Sequence, residues 1–361
     1  MNSEVVKYLI SPVKKSQLRI TKQRKSNNRI VSGLLVSEDE SESFQVIAGI
    51  PLLLPLGYPS EWAHPLYEIL LGDEAIGIVT RFFEDDPKNL TTNLSNYIKY
   101  KLGRDGIVEA FEKHGKIPLE QRYKSLITIP ENEKSTFTPS ISKSDFTRGL
   151  YHAKAMTARA SLERNKHKIA NVDLLEYANK IADTNPKVLL ELGCGACFGT
   201  QLVVEHYRIF ERLFTIDVDF VCTKVADGLF TYRGEIHKID PIVGSFWFLP
   251  FRDDSINAVF TRGGLNESRE IDRVLQEVSR VLKPGGRFVC LERDEPNLPL
   301  PLFDDLGFSI DDKRFMASIA RIYAGADKFC EMMISNDMKV VSVDKRKHLT
   351  GYDRILFVFE K

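Results

Sequence analysis

The stretch from Val188 to Thr200, VLLELGCGACFGT, restricts this chain more than any other, because it reads as a buried strand running through a glycine turn into a helix. Val188, Leu189, Leu190 and Leu192 form the short apolar run of a parallel sheet covered on both faces. Gly193, Gly195 and Gly199 follow, and glycines at such a turn let backbone approach a ligand closely. The helix opening near Phe198 points its unpaired N–H groups and positive dipole end at that ligand, which favours an anionic group. A nucleotide-like cofactor is the first expectation. The G-x-G-x-x-x-G spacing is one residue longer than the dinucleotide fingerprint, although a glycine turn of this kind also marks NAD-binding proteins.

The chain downstream repeats strand and helix signals. Arg212 to Asp217, RLFTID, predicts a second strand ending in an acid, placed to accept hydrogen bonds from both hydroxyls of a ribose; Asp217 is the first choice for that role and Asp219 the second. A third strand near Ile242 to Ser245 leads into LPFRDDSINAV, Leu249 to Val259. The pattern from Ser268 to Leu282 puts Ile271, Val274, Leu275, Val278, Val281 and Leu282 on one helix face, a sheet-packing stripe. RVLKPGGR, Arg280 to Arg287, then stops the helix, and strands follow over Arg287 to Glu292, Lys339 to Asp344 and Arg354 to Phe359.

These motifs resemble the class I S-adenosylmethionine (SAM) methyltransferases, in particular the type 11 methyltransferases related to the ubiquinone and menaquinone C-methylating enzymes. The resemblance runs from about Pro186 to the C-terminus, roughly half the chain. It implies an α/β fold: a Rossmann-like seven-stranded sheet with helices on both faces. It also implies SAM as cofactor, held by Glu191, Gly193, Cys194, Gly195, Gly199, Asp217, Val218, Ser245, Phe246 and Arg262. Ser245 stands where the family commonly has an acid for the adenine amino group, so adenine recognition would lean on backbone and on apolar contact from Phe246 or Trp247. Ligands in such a sheet lie beyond the carboxyl ends of the strands, which makes Arg262, Asn266 and Glu267 the acceptor-side candidates. Arg262 suits an acidic group and Glu267 a proton, while Asn266 or Ser268 also suits a helix cap. Tyr151, His152 and Lys154 precede the first motif, in a segment that folds over the cofactor in the resembling enzymes, and His152 joins the catalytic candidates.

Upstream, residues 1 to 30 are basic, with Lys7, Lys14, Lys15, Arg19, Lys22, Arg24, Lys25 and Arg29 against Glu4, and an acidic run follows from Ser37 to Ser43. The segment closes with GIPLLLP, Gly49 to Pro55. About residues 7 to 55 resemble a small zinc-ribbon family that accompanies methyltransferases. Its four ligand positions are here Ser11, Lys14, Ser37 and Glu40, which cannot close a thiolate or imidazole tetrahedron. The expectation is therefore a metal-free ribbon packed on Ile10, Leu18, Leu34, Phe44, Val46 and Ile50. An ion pair of Lys14 with Glu40 would add little at an exposed position.

Between these parts, residues 58 to 150 show apolar positions at helical spacing, cut by Pro87, Pro118, Pro130 and Pro139, and contain a Ser/Thr/Pro-rich linker from Glu131 to Ser144. His64 and His114 there are lone histidines read as surface or packing residues. The expected organisation is a ribbon-like domain over 1–57, a helical insertion or lid over 58–150, and a methyltransferase domain over 151–361. A length of 361 residues fits two or three domains, and a net charge of zero excludes an overall nucleic-acid signature. Five cysteines, an odd number, read as reduced thiols; Cys194-Gly-Ala-Cys197 interleaves the glycine turn and lacks the second pair that a metal knuckle needs. The sequence has neither a spanning apolar run nor a signal-peptide core, so a cytoplasmic protein is expected.

The function expected is methyl transfer from SAM to an oxygen, nitrogen or carbon of a small metabolite or biosynthetic intermediate. Two other readings stand beside it: an RNA methyltransferase using the basic N-terminal ribbon, and a SAM-binding scaffold without transfer activity. No metal is expected, and the oligomeric state is open.

Overall fold

The computed structural model describes residues 1–26, 28–47, 49–54, 172–195, 197–218, 223, 226–227, 230, 234–265, 271–293, 326–346 and 354–361. The expected insertion over 58–150, and with it His64, His114, Tyr151, His152 and Lys154, lies outside these residues, as do Asp219, Asn266, Glu267 and Ser268. In chain order the strands are β1 (Leu18–Ser26), β2 (Arg29–Ser37), β3 (Ser43–Ile47), β4 (Ile50–Leu53), β5 (Val188–Leu192), β6 (Arg212–Asp217), β7 (Ile239–Gly244), β8 (Ile256–Arg262), β9 (Leu282–Arg293), β10 (Lys339–Arg346) and β11 (Arg354–Glu360). The helices among them are α1 (Val172–Ala182), α2 (Phe198–His206), α3 (Ile271–Val281) and α4 (Ala326–Ile334). The chain forms two compact units, one of Met1–Lys168 with Asp217–Gly244 and one of Ile169–Ile216 with Ser245–Lys361.

In the first unit, β1 to β4 run as an antiparallel meander, and β4 then pairs in parallel with β7, Leu52 opposite Val243. Leu18, Leu35, Phe44, Val46 and Ile50 are buried and form its core with Ile10. Leu34, expected inside, is half-buried; the register pairs Leu35 with Phe44, and a period of two sends the neighbouring Leu34 to the opposite face. Polar contacts join the meander to the segment around β7. The Asp240 carboxylate, 1% exposed, accepts from the Asn2 backbone N–H at 3.0 Å and side-chain Nδ2 at 2.9 Å, and Arg29 pairs with Asp227 at 2.8 Å.

Ser11, Lys14, Ser37 and Glu40, the positions expected to match the ribbon's ligands, lie in two facing turns bound by hydrogen bonds. Ser11 donates its hydroxyl to the buried Glu42 carboxylate and accepts from the Lys14 N–H at 3.0 Å, while Ser37 accepts from the Glu42 N–H at 3.0 Å and donates to Asp39 at 2.6 Å. Hydrogen bonds from Ser37 and Ser41 hold the Asp39 carboxyl below its usual range. The expected Lys14 to Glu40 pair is replaced: Lys14 reaches Asp39 at 3.5 Å and Ser41 at 2.7 Å, and Glu40 pairs with Arg19. Glu40 takes a left-handed conformation, φ +56°, which swings its side chain toward β1. Two hydroxyls, an ammonium and a carboxylate committed in this way do not make a zinc site. Elemental analysis of the purified protein is expected to find no stoichiometric zinc, and one zinc per chain surviving mild chelation would contradict this.

The second unit has the order β6-β5-β8-β9-β11-β10, parallel from β6 through β9 and antiparallel thereafter. Of the seven strands expected downstream, six are here, and the third, β7, is the one that joins β4 in the first unit. All five residues of β5 are buried, as a parallel strand between two helical layers requires, and each fully buried aliphatic side chain contributes roughly 1.5–3 kcal/mol. Helices α1 and α2 pack on each other, as do α3 and α4, and α1 and α3 both pack on β9. Phe329 of α4 meets Phe357 of β11 edge-on at 4.9 Å, and Phe288 stacks on Phe359 at 6.2 Å. Lys283 to Gly286, expected to stop the helix ahead of a strand from Arg287, forms an irregularity inside β9: the register jumps between Ile256/Leu282 and Ala258/Arg287, and Gly285 has φ +75°. Among the described residues no helix is long and apolar enough to cross a membrane.

Candidate active site

The site is built at the carboxyl ends of β5, β6, β8 and β9, where successive loops leave a parallel sheet. After β5 the chain turns sharply. Gly193, Gly195 and Cys197 all have positive φ, at +66°, +46° and +58°. The sequence suggested Gly199 as the third turn glycine, but the third left-handed residue is Cys197, which stands at the N-cap of α2. The Gly193 and Cys194 N–H groups both donate to the Ile216 carbonyl of β6, at 2.9 and 3.3 Å, which ties the turn to the neighbouring strand.

Gly199 lies inside α2 against β5. A Cβ there would collide with the Glu191 carboxylate, which is itself pinned by the Thr200 N–H at 3.1 Å and by the Thr200 hydroxyl. Glu191 is 2% exposed and sets the start of α2 against β5. Cys194 and Cys197 are buried thiols outside any disulfide, and among the described residues no group of three or more His, Cys, Asp or Glu is arranged to hold a metal.

The turn after β8 backs directly onto the glycine turn. Thr261 donates its hydroxyl to the Leu192 carbonyl at 3.0 Å. A Cβ on Gly264 would come within 3.0 Å of that carbonyl and 2.7 Å of the Thr261 hydroxyl, and one on Gly193 would meet the Gly264 Cα at 3.2 Å and the Phe246 ring at 3.1 Å. Ser245 is fully buried, and its hydroxyl accepts from the Trp247 N–H at 3.0 Å, capping the Phe246–Phe248 turn; Phe246 itself is half-exposed beside Gly193. Arg262 is the last residue of β8, half-buried and paired in register with Leu291. Asp217 and Val218, both half-exposed, close β6, and the division between the two units falls between Ile216 and Asp217.

The LPFRDDSINAV and RVLKPGGR runs are held together by one partly buried pair. Arg280 bonds Glu277 at 2.7 and 2.9 Å and also donates to the Leu249 and Phe251 carbonyls, and Glu277 in turn accepts from the Leu249 N–H at 2.6 Å. Both motifs therefore shape the loop after Ser245.

Sequence reasoning passed over three buried groups beside this site. Tyr177 of α1 is fully buried with its ring edge-on to Phe260. Burial, reinforced by the Glu191 carboxylate, pushes its phenol well above the usual range, so it stays neutral. Burial and the neighbouring Glu292 do the same to the Cys290 thiol, which remains a protonated donor to Glu292 at 3.6 Å. Glu292 near the end of β9 accepts from the Leu265 N–H at 3.4 Å and is 2% exposed. An acid at the carboxyl end of a predicted parallel strand was the available signal.

The residues present fit an adenosyl cofactor. Backbone rather than side chain lines the turn at Gly193, and the Phe246 ring flanks it. A family model described as "Methyltransferase domain" matches residues 190–290. The demethylmenaquinone methyltransferase of Geobacillus stearothermophilus is 30% identical over 160 residues, covering 40% of this chain and 68% of that protein. The chain belongs to the class I SAM methyltransferases. The mitochondrial 2-methoxy-6-polyprenyl-1,4-benzoquinol methylase of Rattus norvegicus is 30% identical over 146 residues, 39% of this chain and 43% of the rat protein. The chain thus spans less than half of the rat relative and about two thirds of the Geobacillus one. Among solved structures, a geranyl diphosphate methyltransferase in complex with SAM is 12% identical with a TM-score of 0.41, covering 54% of this chain and 86% of that one.

Proposed function

We propose that this protein transfers the methyl group of SAM to an oxygen, nitrogen or carbon atom of a small-molecule acceptor. The observation that carries this is the glycine turn of Gly193 to Cys197 braced from behind by Gly264. When bound, SAM supplies an electrophilic methyl on a sulfonium whose leaving thioether is neutral. The task of the protein is then alignment in a site from which water is excluded. Asp217 would accept from the ribose hydroxyls, Gly193 to Gly195 would admit the cofactor against backbone, and Phe246 and Val218 would offer apolar contact to the base. Ser245 has one lone pair engaged by Trp247, so base recognition falls to its neighbours.

On the acceptor side, Arg262 would bind an anionic or carbonyl group, with Asn266, Glu267 and His152 as candidates for orienting the acceptor and taking its proton. The quinol and menaquinone rings named in the relatives make a small aromatic hydroxyl compound the first acceptor class to test. The RNA reading loses support because Lys14, Arg19 and Arg29 of the basic N-terminal segment are engaged by Asp39, Glu40 and Asp227. A SAM-binding scaffold would bind the cofactor and transfer nothing.

Calorimetry with SAM, S-adenosylhomocysteine (SAH) and NAD tests the cofactor. Both adenosyl ligands are expected to bind and NAD is not. NAD binding without SAM heat would overturn the reading. Radiolabelled methyl transfer to a panel of aromatic, carboxylate and RNA acceptors then separates enzyme from scaffold.

A further inference from the structure

The strand β9 is buried along Val289, Cys290 and Leu291 and then carries a carboxylate, Glu292, that is almost as buried as the residues before it. A carboxylate in such a place is costly unless hydrogen-bonded. Its Oε1 takes the Leu265 N–H at 3.4 Å and the Cys290 thiol at 3.6 Å. Leu265, fully buried, is the last described residue of the turn after β8, from which the chain continues to Asn266 and Glu267. Gly264, one residue earlier, is the residue packed against Gly193 and the Leu192 carbonyl.

We propose that Glu292 is a positioning residue of the methyltransferase site: by holding the Leu265 N–H it keeps Gly264 seated against Gly193, and so keeps the acceptor-side turn and the cofactor turn in register. The proposal rests on the methyltransferase reading. It gives the two buried acids parallel roles, since Glu191 holds the start of α2 through Thr200 as Glu292 holds the turn after β8 through Leu265. The hydrogen bond, rather than the charge, is what the turn requires. Reach therefore matters more than ionisation. A glutamine carbonyl attains the Leu265 N–H, whereas an aspartate is one methylene short.

The test uses the full chain in three variants, Glu292→Ala, Glu292→Asp and Glu292→Gln, with SAH titrated calorimetrically, melting temperature recorded, and hydrogen exchange followed at the Leu265 amide. Displacing a site by a fraction of an ångström is expected to weaken SAH roughly tenfold or more in Glu292→Ala and Glu292→Asp, with faster exchange at Leu265. Glu292→Gln is expected to recover most of the affinity and most of the protection. A purely structural role would instead make affinity follow melting temperature across all three. Should Glu292→Ala not fold, the comparison of Asp with Gln decides alone. Wild-type-like affinity in Glu292→Asp beside a loss in Glu292→Gln would overturn the proposal, because charge would then be the requirement. Undiminished affinity in both Ala and Asp would also overturn it. A wild-type chain that binds no SAH would remove the methyltransferase reading itself, an outcome distinct from either.

Discussion

Replacing Gly199 by alanine is expected to destabilise the second unit by about 2–5 kcal/mol, from an overpacked contact and a displaced buried acceptor together. The added methyl would land on the Glu191 carboxylate. In an exposed place that carboxylate would rotate away at little cost. Here it is buried, bonded to both the N–H and the hydroxyl of Thr200, and the Phe260 ring stands 3.6 Å from the new atom. Either the helix start lifts from β5 or the carboxylate loses its partners. Urea unfolding followed by circular dichroism measures the loss, and a double-mutant cycle with Glu191→Ala assigns it. Once the carboxylate is gone, Gly199→Ala should cost much less, giving a coupling on the order of 1 kcal/mol or more. A single mutant within about 0.5 kcal/mol of wild type, or strictly additive effects, would show that the contact does not act as described.

The second large effect is expected at Asp217. Two hydrogen bonds from a ribose to a charged acceptor contribute about 1.5–3 kcal/mol each, so Asp217→Ala should weaken SAM roughly a hundredfold or more. The side chain is half-exposed at the end of β6, so its removal should leave the melting temperature close to wild type. Asp219→Ala removes the same charge two residues on and serves as the control for general electrostatics. If SAM binding falls in the control and not in Asp217→Ala, the ribose acceptor has been placed on the wrong residue. If neither substitution matters, the cofactor site lies elsewhere.

Much of the framework was legible because it depends on local pattern. Four apolar residues in a run of five, Val188, Leu189, Leu190 and Leu192, declare β5 a parallel strand, and no distant information is needed to read a glycine turn after it. The RLFTID strand, the apolar stripe of α3 and the stop at Lys283 to Gly286 are local in the same sense, and each appears within a few residues of its expected place. The start of β7 is less local. It lies at Ile239, ahead of the expected Ile242: Asp240 in the added stretch accepts from Asn2, while β4, nearly two hundred residues earlier, pairs farther along at Val243 and Gly244.

What the sequence determined by itself is therefore the order of the described strands and helices downstream and the position of the glycine turn after β5, since periodicity and glycine placement are properties of neighbouring residues. Tertiary structure alone decided how the polar groups are used. Glu191, expected beside the cofactor, also holds Thr200; Ser245, standing where an adenine acid is common, caps the Phe246–Phe248 turn; Gly199 makes room for a carboxylate, while Cys197 takes the left-handed position. Lys14 passed over Glu40 for Asp39, and Glu292, unremarked in its strand, closes on Leu265. A hydrogen bond is made with whatever group the fold brings within about 3 Å, and that distance is set by strands adjacent in the sheet and not by spacing along the chain.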